Sequence, residues 1–130
     1  LASLGWASTR NLPILFVIED NNYAILTEKK DRRNWEASEV GKGFKIDSYN
    51  IDDDPKNIKK TLENKIFKKP LLLNINTNRL SWHVGAGINN KETFDRLKNE
   101  INSIGKQAKL IDYNIKKNID RLWKKHLGLQ

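Results

Sequence analysis

The 130-residue chain carries 24 Lys plus Arg against 16 Asp plus Glu, a formal net charge of +8, with 38% hydrophobic residues. This is too apolar for full disorder and too short for more than one ordinary domain. Cys is absent, which excludes disulfide scaffolds, thiolate metal centres and Cys nucleophiles. The longest apolar run, Leu12 to Ile18, falls well short of the ~20 residues a membrane span needs. The start, LASLGWASTR, has too short an apolar stretch for a secretory signal, so a cytoplasmic location with no membrane contact is expected. Met is also absent, and the chain is read as a fragment of a longer reading frame. The positive charge has two readings. Heavy use of Lys, Asn and Ile is the joint bias of an AT-rich genome, which makes Lys a solvated surface residue. The other reading is a face for nucleic acid or an acidic partner.

In chain order, Leu1 to Asn11 reads as the end of a helix. Leu4, Ala7 and Ser8 share a face, and Pro13 bars continuation. Leu12 to Ile18 (LPILFVI) shows no alternation, which predicts a strand covered on both faces and the most buried of its sheet. It ends abruptly in Glu19-Asp20-Asn21-Asn22, at the strand end where α/β sheets place ligands. Tyr23 to Trp35 reads as a charged loop, with Thr27 to Trp35 lacking a partner. Glu36 to Phe44 predicts a short helix ending at Gly41 or Gly43, and Lys45 to Ile51 a short strand. Asp54-Pro55 is a helix start, with Asp at the N-cap and Pro at N1. Ile58, Leu62 and Ile66 form its apolar stripe, Lys68 and Lys69 sit near its negative end, and Pro70 stops it. Leu71 to Thr77 predicts a strand parallel to the first, buried and then alternating. Arg79 to Asn90 reads as a loop with Gly85 and Gly87. Phe94, Leu97, Ile101 and Ile104 mark a helix ended by Gly105. Ile111, Ile115, Ile119, Leu122 and Trp123 mark a last, Lys-rich helix. Strands alternating with helices predict an α/β fold with a three-layer parallel sheet. Residues 1–90 form the motif-bearing part and 91–130 the carboxyl-terminal helices.

Two loops follow the strong strands, and a parallel sheet brings both to one carboxyl edge. The first is Glu19 to Ile25; the second is Thr77 to Gly87. Asp and Asn oxygens are hard ligands suited to Mg²⁺ or Ca²⁺. Arg79, His83 and the small glycines suit an anion such as a diphosphate. The residues alone therefore describe a phosphate-plus-Mg²⁺ edge, and equally an ordinary polar turn in which Asn21 is a capping residue.

LPILFVIEDNNYAI resembles the closing half of the thiamine diphosphate motif as it stands in the alpha subunits of 2-oxo acid dehydrogenases, the pyruvate, branched-chain and acetoin enzymes. The family form is Leu-Pro, an apolar strand, then Glu-Asn-Asn-x-Tyr-Ala-Ile, with Asp sometimes in place of the first Asn. Tyr23-Ala24-Ile25 fixes the register, so Asp20 takes the first Asn place, Asn21 the second and Asn22 the variable one. Further on, Lys69-Pro70-Leu71-Leu72-Leu73 resembles Gly-Pro-x-Leu-apolar, and Thr77-Asn78-Arg79 resembles Thr-Tyr-Arg. His83 falls on the second His of the Arg-x-His-Gly-His-Ser loop, in the His-Val-Gly form of alpha-like proteins associated with surface-polysaccharide pathways. The likeness covers residues 1 to 100 or so.

The resemblance implies the thiamine diphosphate-binding fold, here a partial domain, with thiamine diphosphate and Mg²⁺ as cofactors. Asn21 supplies a side-chain oxygen to the metal and Tyr23 its backbone carbonyl. His83 faces the cofactor as a binding and catalytic residue. The partners implied are a beta subunit in an α₂β₂-type assembly, which brings the activating glutamate, and a small 2-oxo acid. The Gly-Asp-Gly half of the motif, with its metal-binding Asp, is not in these 130 residues, so this stretch alone is expected to catalyse nothing. Two other readings stand beside this one: a non-catalytic subunit-interaction remnant of the same fold, and a basic nucleic-acid-binding domain. The scatter of Lys over several helix faces speaks against the second. Among single residues, Arg79 also reads as a strand-end Arg paired with a carboxylate, and Trp82 as a packing residue. His126 reads as the polar edge of the last helix, and Asp52, Asp53 and Asp54 as a helix start capped by Asp54.

Overall fold

The computed structural model describes residues 1–65, 68–81 and 93–128. Ile66, Trp82, His83, Gly85 and Gly87, all singled out above, lie outside the described residues. The chain divides into two compact units, Leu1–Phe94 and Asp95–Gln130.

The first unit opens with α1 (Ala2–Thr9), followed by β1 (Leu15–Asp20), a small hairpin of β2 (Tyr23–Ala24) and β3 (Thr27–Glu28), and the single turn α2 (Lys29–Arg32). It continues through α3 (Ala37–Gly43), β4 (Asp47–Asp52), α4 (Pro55–Leu62) and β5 (Leu71–Asn76). The sheet order is β1-β5-β4, all parallel, with Leu15 opposite Leu71 and Leu71 opposite Asp47. Side chains alternate between the two faces of a strand, and this separates the layers. Gly41 of α3 lies against Ser48 and Leu72 on one face. On the other, Lys65 lies 4.8 Å over the Tyr49 ring, and Lys60 and Thr61 of α4 line a cleft with Tyr49 and Ile51. Helix, sheet and helix make the predicted three-layer α/β arrangement.

The core is β5. Leu71, Leu72 and Leu73 are no more than 2% exposed, and each such side chain stabilises the fold by about 1.5–3 kcal/mol. Asn74 is fully buried beside them and donates from Nδ2 to Asn50 Oδ1 at 2.9 Å, so the predicted alternation after Leu73 does not occur. The expectation for Leu12 to Ile18 is corrected too. Of this run only Leu15–Asp20 is strand, it lies at an edge of the sheet formed by the described residues, and Val17 is 51% exposed. Among the described residues α3 packs on β4 and β5 and α4 on β4.

Asp54 caps α4, accepting from the Lys56 N–H at 2.9 Å, with Pro55 in the first turn. The helix stops at Leu62, earlier than its apolar stripe suggests, because Asn64 turns the chain at φ +61°. Lys69 pairs with Asp47 at 2.8 Å and does not sit at the helix end.

The second unit is α5 (Arg96–Ile104) and α6 (Gln107–Leu127). Asp95 caps α5 by accepting from the Lys98 N–H at 2.9 Å. Gly105 (φ +68°) and Gly128 (φ +66°) end the two helices in a conformation that Gly adopts without steric cost. Leu97, Ile101, Ile104, Ile111 and Ile115 line an apolar groove of about 430 Å³. His126 lies against Ile119, Leu122 and Trp123. Among the described residues no helix is long and apolar enough to cross a membrane.

Candidate functional site

Because β1 and β5 are parallel and in register, their carboxyl ends lie side by side. Asp20 is opposite Asn76, and the Thr77 N–H donates to the Asp20 carbonyl at 3.0 Å. The two polar loops therefore leave the sheet from one edge, as alternation of strand and helix requires.

The chain turns at once after β1. Asp20 Oδ1 accepts from the Asn22 N–H at 3.0 Å, and Asn21 Oδ1 accepts from the Tyr23 N–H at 3.0 Å. These are two consecutive Asx turns, the local geometry that short Asp and Asn side chains favour. Asn22 takes φ +66°, which Asn tolerates better than most residues. Tyr23 then pairs with Glu28 and Ala24 with Thr27, so Ile25 and Leu26 form a two-residue hairpin turn. Ile25 sits at φ +55°, a conformation usually left to Gly and uncommon for a β-branched residue. The Arg79 guanidinium, from the chain after β5, donates to the Ile25 carbonyl and lies 4.9 Å from the centre of the Tyr23 ring. The carboxylate expected for Arg79 is thus replaced by a backbone carbonyl and an aromatic face, and the contact ties the two loops together.

The charges around Asp20 were not legible as a cluster. Lys29 Nζ lies 3.2 Å from Asp20 Oδ2, and the Arg33 guanidinium 2.5 Å from the same oxygen. Glu36 closes the group at 3.2 Å from Lys29 and 3.9 Å from Arg33. Arg33 also lies 4.8 Å from the Trp35 ring centre. The segment expected to lack a partner is therefore tied to the end of the central sheet. Burial resists ionisation of Asp20, but the Asn22 N–H and the Lys29 and Arg33 cations outweigh it and hold the carboxyl below its usual range. Burial likewise works against the Lys29 ammonium, and its bonds to Glu36 and Asp20 more than offset this, holding its pKa above the ordinary value.

Of the residues the sequence singled out, Asn21 and Tyr23 are brought together by a direct hydrogen bond, and Tyr23 meets Arg79. His83 lies outside the described residues. Asp52 and Asp54 do not converge: Asp54 caps α4, and Asp52 Oδ1 faces Asn76 Nδ2 at 3.5 Å. Among the described residues Asn21 Oδ1 accepts one hydrogen bond, and an amide oxygen carries two lone pairs. Asp20 Oδ2 is ion-paired with two cations.

A family model described as "Dehydrogenase E1 component" matches residues 1–119. No curated protein and no solved structure matches the chain.

Proposed function

The chain belongs to the dehydrogenase E1 component family, and from that premise we propose that it supplies part of a Mg²⁺–thiamine diphosphate site in the alpha subunit of a 2-oxo acid dehydrogenase. The supporting observation is the pair of turns after β1. They set the Asn21 Oδ1 and the start of the Tyr23 hairpin at the carboxyl edge of the sheet, while Lys29 and Arg33 neutralise Asp20. Asn21 Oδ1 and the Tyr23 carbonyl are hard, uncharged oxygens, the donor type that Mg²⁺ accepts alongside phosphate and water. Two neutral ligands balance none of the dication's charge. The diphosphate and an acid from a Gly-Asp-Gly segment complete the set.

When bound, thiamine diphosphate would supply carbanion chemistry at the 2-oxo group of the substrate. The residues of this chain anchor and orient it. Asn21 and Tyr23 would hold the metal, Arg79 braces the Tyr23 hairpin, and His83 is the cofactor-binding and catalytic residue that the resemblance assigns. A beta subunit in an α₂β₂-type assembly completes the site, and the substrate is a small 2-oxo acid.

The test is Mg²⁺-dependent binding of thiamine diphosphate, measured by calorimetry on the assembled enzyme. Asn21→Ala is expected to weaken it about tenfold or more, the usual cost of a lost metal-binding group. Asn22→Gly keeps the positive φ and is expected to leave binding unchanged. The opposite pattern would move the ligand to Asn22 and break the register that Tyr23 sets.

A further inference from the structure

We propose that Asp20 is a positioning residue: its carboxylate, gripped by Lys29 and Arg33, sets the loop that presents Asn21 and Tyr23. The proposal rests on the metal reading above and adds how that loop gets its shape before an ion arrives.

At the end of β1 the backbone has to leave the sheet within one residue, yet keep Asn21 and Tyr23 in a fixed relation. Asp20 answers with three separate acceptors. Its carbonyl takes the Thr77 N–H at 3.0 Å and anchors it to the end of β5. Oδ1 takes the Asn22 N–H at 3.0 Å and closes the turn around Asn21. Oδ2 takes both cations. Lys29 is used twice as well. Its backbone N–H donates to the Asn22 carbonyl at 2.8 Å, while its ammonium reaches Asp20 and Glu36. Asn21 therefore sits inside a loop closed at its base by hydrogen bonds and ion pairs.

Burial decides that the grip matters. The Asp20 side chain is 7% exposed and that of Arg33 12%. An exposed ion pair contributes little, but removing one partner of a shielded pair leaves the other charge unpaired, at far greater cost. The family form described above has Asn or, in some members, Asp at this place; Asn can cap Asn22 but cannot draw in two cations as Asp20 does. In this chain the extra charge fastens the ligand loop to α2 and to the approach to α3. A ligand set ordered in advance loses less freedom when the metal binds.

The experiment uses the assembled, metal-free enzyme and two variants. Arg33→Met removes the strongest contact. Asp20→Asn keeps an oxygen for Asn22 while losing the charge, and serves if the first variant fails to assemble. Hydrogen exchange read by mass spectrometry is expected to quicken about tenfold in peptides covering residues 20–29, and to change less than about twofold across residues 71–76. Arg33→Lys is expected to restore most of the protection. Uniform acceleration that includes residues 71–76 would make the pair a general stability element and overturn the proposal, as would unchanged exchange at residues 20–29. The same variants are expected to lower the apparent affinity for Mg²⁺ with thiamine diphosphate about tenfold. Normal binding in the unsubstituted enzyme with undiminished affinity in the variants overturns the positioning role alone. No Mg²⁺-dependent binding in the unsubstituted enzyme overturns the metal reading itself.

Discussion

Asp20 and Lys29 leave a signature in the pH dependence of stability. The Asp20 pKa is depressed in the folded chain, so its contribution is present above the unfolded carboxylate value and is lost as pH falls through the folded one. The Lys29 pKa is raised, so its contribution is present below the unfolded lysine value and is lost as pH rises through the folded one. Between those limits the pair contributes steadily. Urea midpoints followed downward from neutral pH are expected to fall below about pH 4, and Asp20→Asn should lower the plateau and flatten part of that acid limb. An acid limb identical in the variant would remove Asp20 from the cluster. At this scale the sequence was half legible. The order Glu19-Asp20-Asn21-Asn22-Tyr23 pointed to the ligand loop through its register on Tyr23-Ala24-Ile25. The contacts that shape the loop did not show. Asp20 meets residues 9 and 13 positions away, and Arg79 meets a carbonyl 54 positions away. Neither spacing belongs to a helix or strand period, so the charges of 28–33 read as solvated loop.

Among the elements, the contact of α3 with the sheet is the most demanding. A Cβ on Gly41 would meet the Ser48 hydroxyl closer than any real contact and Leu72 Cδ1 at 3.1 Å. Both neighbours are buried and have little room to yield. Gly41→Ala is expected to destabilise the first unit by about 1–3 kcal/mol, the usual cost of overpacking, and chemical denaturation checks it. An unchanged midpoint would mean that α3 can lift from β4 and β5 without loss. Gly41 appeared in the sequence only as a possible helix stop, since a close approach between layers leaves no mark on periodicity. The strands themselves were legible. Leu71 to Leu73 is apolar on both faces and buried on both. Leu12 to Ile18 carries the same pattern and yet yields an edge strand, because apolar residues record what a strand tolerates and the neighbouring layers decide what it receives. Asn64 ended α4 early for a similar reason: one residue in the left-handed region outweighs an apolar stripe at i, i+4 and i+8.

Across the whole molecule, apolar surface stands open in both units. Val17 and Trp6 are more than half exposed in the first, and Leu110, Ile115 and Trp123 in the second. Exposed apolar area of this kind favours association, and an edge strand offers free backbone groups to a partner. The isolated chain is therefore expected to self-associate, and light scattering across a dilution series checks this; a monomer at every concentration would contradict it. Limited proteolysis of the same sample should cut at Lys30 and Arg32 before Lys29 and Arg33, whose side chains are shielded in the Asp20 cluster while Lys30 pairs with Glu28 in the open. The central claim is that Asn21 and Tyr23 are this chain's hold on a Mg²⁺–diphosphate. Its most direct test is a crystal structure of the assembled enzyme with Mg²⁺ and thiamine diphosphate bound. The account predicts Asn21 Oδ1 and the Tyr23 carbonyl each about 2.1 Å from the ion, with Asp20 still on Lys29 and Arg33. An ion held by Asp20 or Asn22, or a cofactor bound away from this edge, would contradict it.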